Sequence, residues 1–279
     1  MPSYVVTGAS HGLGFAFIRK LSSDPSNVVF ALVRNKQKAQ EAINKEFSGR
    51  QNLHVLHGDL GDFESLRLAA KEVARLTGGG LDILIANASY SIVGFDAIST
   101  QATQDQNFDR DMLESFRINV IGNTHLIANF LPLIERGTLK KVVVLSSGMG
   151  DVPLVVESEM KWQSPYAISK AALNMAVAKF HAQYAAKGTL VMAISPGVVD
   201  TDSVREKSAQ STDLAGTATA EMNEGVEELW AAMKRYAPHF SGPITPDQSV
   251  AMVLDVVDKA TIKDHGGRMI SHLGTTRWL

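Results

Sequence analysis

Short apolar runs alternate with segments of helical periodicity through the first two thirds of the chain, and few folds can absorb that pattern. The runs are Tyr4–Thr7, Val28–Val33, Leu53–Leu56, Leu81–Ala86, Lys141–Leu145 and Leu190–Ile194. Segments with apolar residues at helical spacing follow them, among them Leu13–Leu21, Lys36–Phe47 and Phe63–Leu76. Alternation of this kind argues a parallel sheet with helices on both faces. The runs are apolar at nearly every position, as expected when both faces of each strand are covered. The expected architecture is α/β, a doubly wound parallel sheet.

Helix punctuation agrees. Gly78-Gly79-Gly80 is placed to end one helix and turn into the next strand. Ser164-Pro165 reads as an N-cap with proline at the first helical position, opening a helix over Tyr166–Lys187. Thr245-Pro246-Asp247-Gln248 has the same form with a capping-box glutamine. No repeat, low-complexity tract or linker divides the chain, so residues 1–279 are read as a single domain. The stretch 199–245 interrupts the alternation. Within it Met222, Val226, Leu229, Trp230 and Met233 share one helical face, which serves plain packing or a substrate-covering insertion.

Composition narrows the function classes. With no cysteine, disulfides, thiolate zinc sites and cysteine nucleophiles are excluded. A formal net charge of −2 provides no electrostatic footprint for nucleic acid or an anionic membrane. No apolar run approaches the roughly 18–20 residues of a spanning helix. The opening MPSYVVTGAS enters a strand-like segment at once, leaving no room for a secretory signal. A cytoplasmic protein is expected, with neither nucleic acid nor membrane as partner and no bound metal.

Between the first strand and the first helix lies Thr7-Gly8-Ala9-Ser10-His11-Gly12-Leu13-Gly14. Glycines there permit a tight turn and a close backbone approach to a pyrophosphate. The helix N-terminus adds unpaired N–H groups and a favourable dipole. A glycine-rich turn alone is weak evidence, but the strand–turn–helix context is the one that nucleotide binding requires.

This TGxxxGxG pattern resembles that of the classical short-chain dehydrogenases/reductases, and the resemblance continues along the chain. Asp59-Leu60 is similar to the family's aspartate that meets the adenine. Asn87-Ala88 ends the fourth strand where the family has its NNAG stretch, and Ser146-Ser147 ends the fifth. Tyr166-Ala167-Ile168-Ser169-Lys170 is a YxxxK motif, and Pro196-Gly197-Val198-Val199-Asp200-Thr201 resembles the PGxVxT segment. The resemblance implies a Rossmann-type sheet. It also implies a cofactor site built from Gly8, Ser10, His11, Gly12, Leu13, Gly14, Arg34, Asn35, Asp59, Leu60, Asn87, Ala88, Tyr166, Lys170, Pro196, Gly197, Val199 and Thr201.

The cofactor expected is NADP(H). An acidic residue after the second strand would bond the ribose 2′-hydroxyl of NAD and repel a 2′-phosphate. This chain has Arg34 and Asn35 there, and a guanidinium is a bidentate phosphate donor. His11 stands in a slot that is often basic in NADP-preferring relatives. The bland reading of Arg34 is a solvated residue at a strand end.

Tyr166 and Lys170 are four residues apart, on one helical face. An ammonium beside a phenol favours the phenolate and is expected to bring the tyrosine, ordinarily near pKa 10, toward a useful range. By resemblance, Tyr166 exchanges a proton with the substrate oxygen while hydride moves to or from carbon. Ser147 positions that oxygen, Lys170 also meets the nicotinamide ribose, and Asn119, within the helical segment Asn107–Glu135, holds a relay water. Each has a plain alternative: a chance pair on a helix, a turn serine, an asparagine satisfying backbone.

Two departures stand out. The interval between Ser147 and Tyr166 is long and carries Asp151–Glu157 as a loop, and Ser89 replaces the usual glycine after Asn87-Ala88. The reading is a carbonyl–alcohol oxidoreductase for a small or medium hydrophobic molecule, with Val155, Val156, Met160, Trp162, Met222 and Trp230 as candidate pocket residues. A dehydratase or epimerase, or an NADP(H) sensor without turnover, remains open. Relatives pair through the helices holding Asn119 and Tyr166, which implies a homodimer or homotetramer.

Overall fold

Alternation along each strand decides which helices cover which face of the sheet. The computed structural model describes residues 1–91, 98, 106–201 and 220–279, with side chains of the helices that begin at 106 and 220 described from 107 and 228. Its strands are β1 (Ser3–Thr7), β2 (Val28–Val33), β3 (Leu53–His57), β4 (Ile83–Ala86), β5 (Lys141–Leu145), β6 (Leu190–Ser195) and β7 (Met269–Ser271). They form one sheet in the order β3-β2-β1-β4-β5-β6-β7, with every neighbouring pair parallel.

Helices α1 (Gly12–Ser22), α2 (Lys36–Glu46) and α9 (Pro246–Lys259) pack against one face. Val6, Val29 and Ala31 of the strands meet Phe17, Ile43 and Val253 there. Helices α3 (Phe63–Thr77), α5 (Asn123–Ile134) and α7 (Ser164–Tyr184) take the other face. On that side Val5, Phe30 and Leu32 meet Leu66, Phe130 and Leu173. Adjacent strand residues therefore enter opposite cores, which is why the runs are apolar throughout. Among the described residues the remaining α-helices are α4 (Gln106–Ser115), α6 (Val152–Ser158), α8 (Ala220–Tyr236) and the short α10 (Ile262–His265).

The structure corrects several local expectations. Leu81 is outside β4, because its N–H donates to the carbonyl of Leu133 and not to the ladder. Gln163, not Ser164, is the N-cap of α7; it sits at φ 55°, and Ser164 instead donates to the carbonyl of Lys161. The segment Asn107–Glu135 is not one regular helix, since Phe116–Gly122 between α4 and α5 has π-helical spacing. Asp151–Glu157 is not a loop: Asp151 caps α6 by accepting the N–H of Leu154. β7 carries only three residues and no alternation that could have announced it. The Gly78 end and the Thr245–Gln248 capping box stand as expected.

Candidate active site

The strand order reverses between β1 and β4, so a crevice opens beyond their carboxyl ends. The turn Thr7–Gly14 lies there. Gly8 takes φ 65°, and a Cβ on it would sit 3.0 Å from Cα of Ala88. A Cβ on Gly14 would collide with the carbonyl of Gly8. Thr7 ties the turn to the end of β4: its Oγ1 accepts the N–H groups of Asn87 and Ala88 at 3.0 and 2.9 Å, and its carbonyl accepts Nδ2 of Asn87 at 2.8 Å. Ser10 and His11 are exposed, and Leu13 packs partly against the core. No acidic side chain stands in the first turn of α1 to compete for its N–H groups.

Arg34 is exposed just after β2, and its carbonyl accepts Nδ1–H of His57 at 3.0 Å. Asn35 has a definite local task, because its Oδ1 caps α2 by accepting the N–H of Lys38 at 3.0 Å. Asp59 accepts the N–H of Gly61 at 2.8 Å, and Leu60 is buried beneath. Bare glycine backbone, an open helix N-terminus and an exposed guanidinium fit the phosphates of a dinucleotide. Across the crevice, Thr201 approaches Gly12, with Cγ2 3.6 Å from where a Cβ would lie. Gly197 takes φ 83° with the ring of His272 against it, and the carbonyl of Pro196 accepts Oγ of Ser249 at 2.7 Å. Val199 bridges to Ile244, tying this segment down.

Ser147, Tyr166, Lys170 and Asn119 come from three elements and converge. Ser147 lies just past β5, where its Oγ accepts the N–H of Met149 at 3.2 Å and also hydrogen-bonds Tyr166. Lys170, 1% exposed, donates from Nζ to the carbonyl of Leu145 at 2.9 Å and stands 5.4 Å from the Tyr166 ring centroid. Asn119 is fully buried in the π-helical stretch. Its Oδ1 accepts the N–H of Tyr90 at 2.7 Å, while Nδ2 donates to the carbonyl of Tyr90 at 2.8 Å and to Oγ of Ser169 at 3.0 Å. Ser169 in turn donates to the carbonyl of Tyr166 at 2.7 Å.

Burial dominates the electrostatics of the pair. Burial pushes the Tyr166 phenol up to about 12, only partly offset by its bond with Ser147. Burial also lowers Lys170, to about 7, and it is Ser147 that offsets part of the burial of the phenol.

A third apolar cluster lies beside this constellation, where Leu154, Met160, Trp162, Met233 and Trp278 are buried. Val155, Leu229 and Trp230 pack partly against it, and Trp230 stacks on Phe240 at 5.7 Å. Val156 does not join, being 70% exposed on the outer face of α6. The side chains of Met222 and Val226 lie outside the described residues. Thr7, Ser169 and Trp278 were not singled out as site residues. Only Thr7, inside the glycine-rich motif, carried a local signal for its role.

The family model described as short chain dehydrogenase matches residues 3–212. The short chain dehydrogenase virK of Hypocrea virens is 43% identical over the whole of both chains. The short-chain dehydrogenase/reductase AacuF of Aspergillus aculeatus is 41% identical, again over all of both. Among solved structures, the NADPH-bound carbonyl reductase from chicken fatty liver superposes with a TM-score of 0.74 at 27% identity, covering 100% of this chain and 99% of the other.

Proposed function

The chain belongs to the short-chain dehydrogenase family, and from its site we propose that it is an NADPH-dependent oxidoreductase interconverting a carbonyl and an alcohol on a small or medium hydrophobic substrate. The observation that carries this reading is the Ser147–Tyr166 hydrogen bond with Lys170 buried behind it. Gly8–Gly14 and Arg34 would hold a nicotinamide dinucleotide and its 2′-phosphate, and that group would supply the hydride when bound. Ser147 Oγ and the Tyr166 hydroxyl bind the same substrate oxygen, and Tyr166 donates its proton as negative charge develops there. A phenol raised to about 12 keeps that proton through neutral pH, which suits reduction. An alkoxide is more basic still, so the transfer runs downhill.

Lys170 holds the end of β5 and the first turns of α7 in register, and Asn119 fixes the stretch after β4 through both backbone groups of Tyr90. Leu229, Trp230 and Met233 of α8, packed with Met160 and Trp162, form an apolar wall beside the substrate. A cytoplasmic homodimer or homotetramer is part of the same proposal. Among the described residues no helix is long and apolar enough to cross a membrane.

The test is NADPH and NADH titration of the purified protein, followed by NADPH consumption across ketones and aldehydes. Tight NADPH binding with turnover of a carbonyl is the expected result. Binding without turnover across a broad panel would favour a nucleotide sensor, and binding of neither nucleotide would overturn the reading.

A further inference from the structure

The segment after β7 returns to the residues that follow Ser147. Trp278 is 4% exposed, and its indole Nε1–H donates to Oδ2 of Asp151 at 2.8 Å. The same carboxylate oxygen accepts the N–H of Leu154 at 3.3 Å and so caps α6. Trp278 also seats against Gly148, the residue after Ser147. A Cβ there would lie 3.1 Å from both Cβ and Cγ of the tryptophan, so the two approach as closely as a bare glycine allows. Next to Trp278, Arg277 pairs with Glu157 of α6 at 3.1 Å and lies over the ring of Tyr236 at the end of α8, 5.4 Å from its centroid.

We propose that Trp278 is a positioning residue, one that holds the Gly148–Leu154 segment so that Ser147 Oγ stays on Tyr166 and α6 stays in place as a pocket wall. This rests on the carbonyl–alcohol reading above. Ser147 holds the turn after it only through short-range bonds, its Oγ accepting the N–H of Met149 at 3.2 Å and its carbonyl the N–H of Gly150 at 2.9 Å. The turn Gly148–Gly150 contains two glycines, which restrict the backbone little by themselves, and its second glycine already packs against the backbone of Lys170 and Ala171 in α7. An indole wedged against the first glycine and bonded to the residue after the second restrains the turn at its first glycine and its exit. A catalytic group must be held to within about 0.5 Å, and a neighbouring shell has to supply the restraint.

The experiment compares the full-length wild type with Trp278→Phe, which keeps a ring but removes the donor, with Asp151→Ala, and with the double variant. Three quantities are read with NADPH bound: amide hydrogen exchange in 147–158 and in 5–14, the NADPH dissociation constant, and kcat and KM for a carbonyl that the wild type reduces. In Trp278→Phe, exchange in 147–158 rises several-fold, while exchange in 5–14 and NADPH affinity stay within twofold. Its kcat/KM falls about tenfold, since small misplacements of reacting groups are costly. Asp151→Ala loses at least as much, since it also removes the cap of α6, and the double variant loses little more than Asp151→Ala, because the Trp278 bond is already broken there.

Unchanged exchange in 147–158 would overturn the proposal, as would a fall in kcat/KM matched by an equal loss of NADPH affinity. If the wild type reduces no carbonyl, the functional reading fails on its own. The exchange comparison still decides whether Trp278 holds the segment.

Discussion

Lys170 donates from its buried Nζ to the carbonyl of Leu145, the last residue of β5, at 2.9 Å. One bond thus joins the helix that carries Tyr166 to the strand that leads into Ser147. It gives the ammonium a single neutral acceptor, too little to offset burial, which lowers Lys170 to about 7.

The pH dependence of stability follows from that depression. Between about pH 7 and the ordinary lysine range near 10.5, the unfolded chain holds a proton that the folded chain has released. The burden of burying Lys170 is therefore fully present below pH 7 and is relieved as pH rises through this window, by up to about 1.4 kcal/mol per pH unit. Thermal unfolding without nucleotide, from pH 6.5 to 9.5, should show Lys170→Met more stable than wild type at the acid end, with the gap closing at the alkaline end. A constant gap would mean that Lys170 is not depressed. Tyr166, raised to about 12, works the other way only above pH 10.

Tyr166→Phe should lower carbonyl turnover by about 10²- to 10⁴-fold, the usual contribution of a positioned acid. NADPH affinity should stay within about twofold, since the phenolic hydroxyl faces Ser147. Parallel loss of turnover and binding would remove Tyr166 from the proton-transfer role.

Arg34→Asp should weaken NADPH binding by about tenfold or more, the scale of a charge-assisted hydrogen bond. NADH binding should hold or improve, because a carboxylate there suits a ribose 2′-hydroxyl. Fluorescence titration with both nucleotides measures the ratio. Equal effects on both would leave Arg34 as a surface residue at a strand end.

Gly14→Ala should abolish nucleotide binding and cost about 1–3 kcal/mol of stability, the range for overpacking a tight site. The added methyl meets the carbonyl of Gly8, which is backbone and cannot swing aside. An alanine variant that binds NADPH normally would show that the turn has another low-energy form.

The architecture was legible because strand and helix periodicity, glycine turns and caps are short-range properties, written within a few residues of where they act. Runs such as Val28–Val33 could only be strands covered on both faces, and they are. The Thr7–Gly14 turn was readable for the same reason, since its glycines answer to steric demands of the turn itself. The four spacing of Tyr166 and Lys170 placed both on one face of α7.

What the sequence could not determine depends on which distant segments meet. Asn119 and Tyr90 are joined through both backbone groups only because the π-helical stretch folds onto the end of β4. The proton affinities of Tyr166 and Lys170 are shifted by how deeply they are buried, which their spacing does not reveal. Trp278 reaches Asp151 across 127 residues of chain, a contact no local pattern encodes. Sequence alone determined the alternation of strands and helices and the residue types at the site. Packing decided their desolvation and their partners, because burial and long-range contact are properties of the assembled layers and not of any one segment.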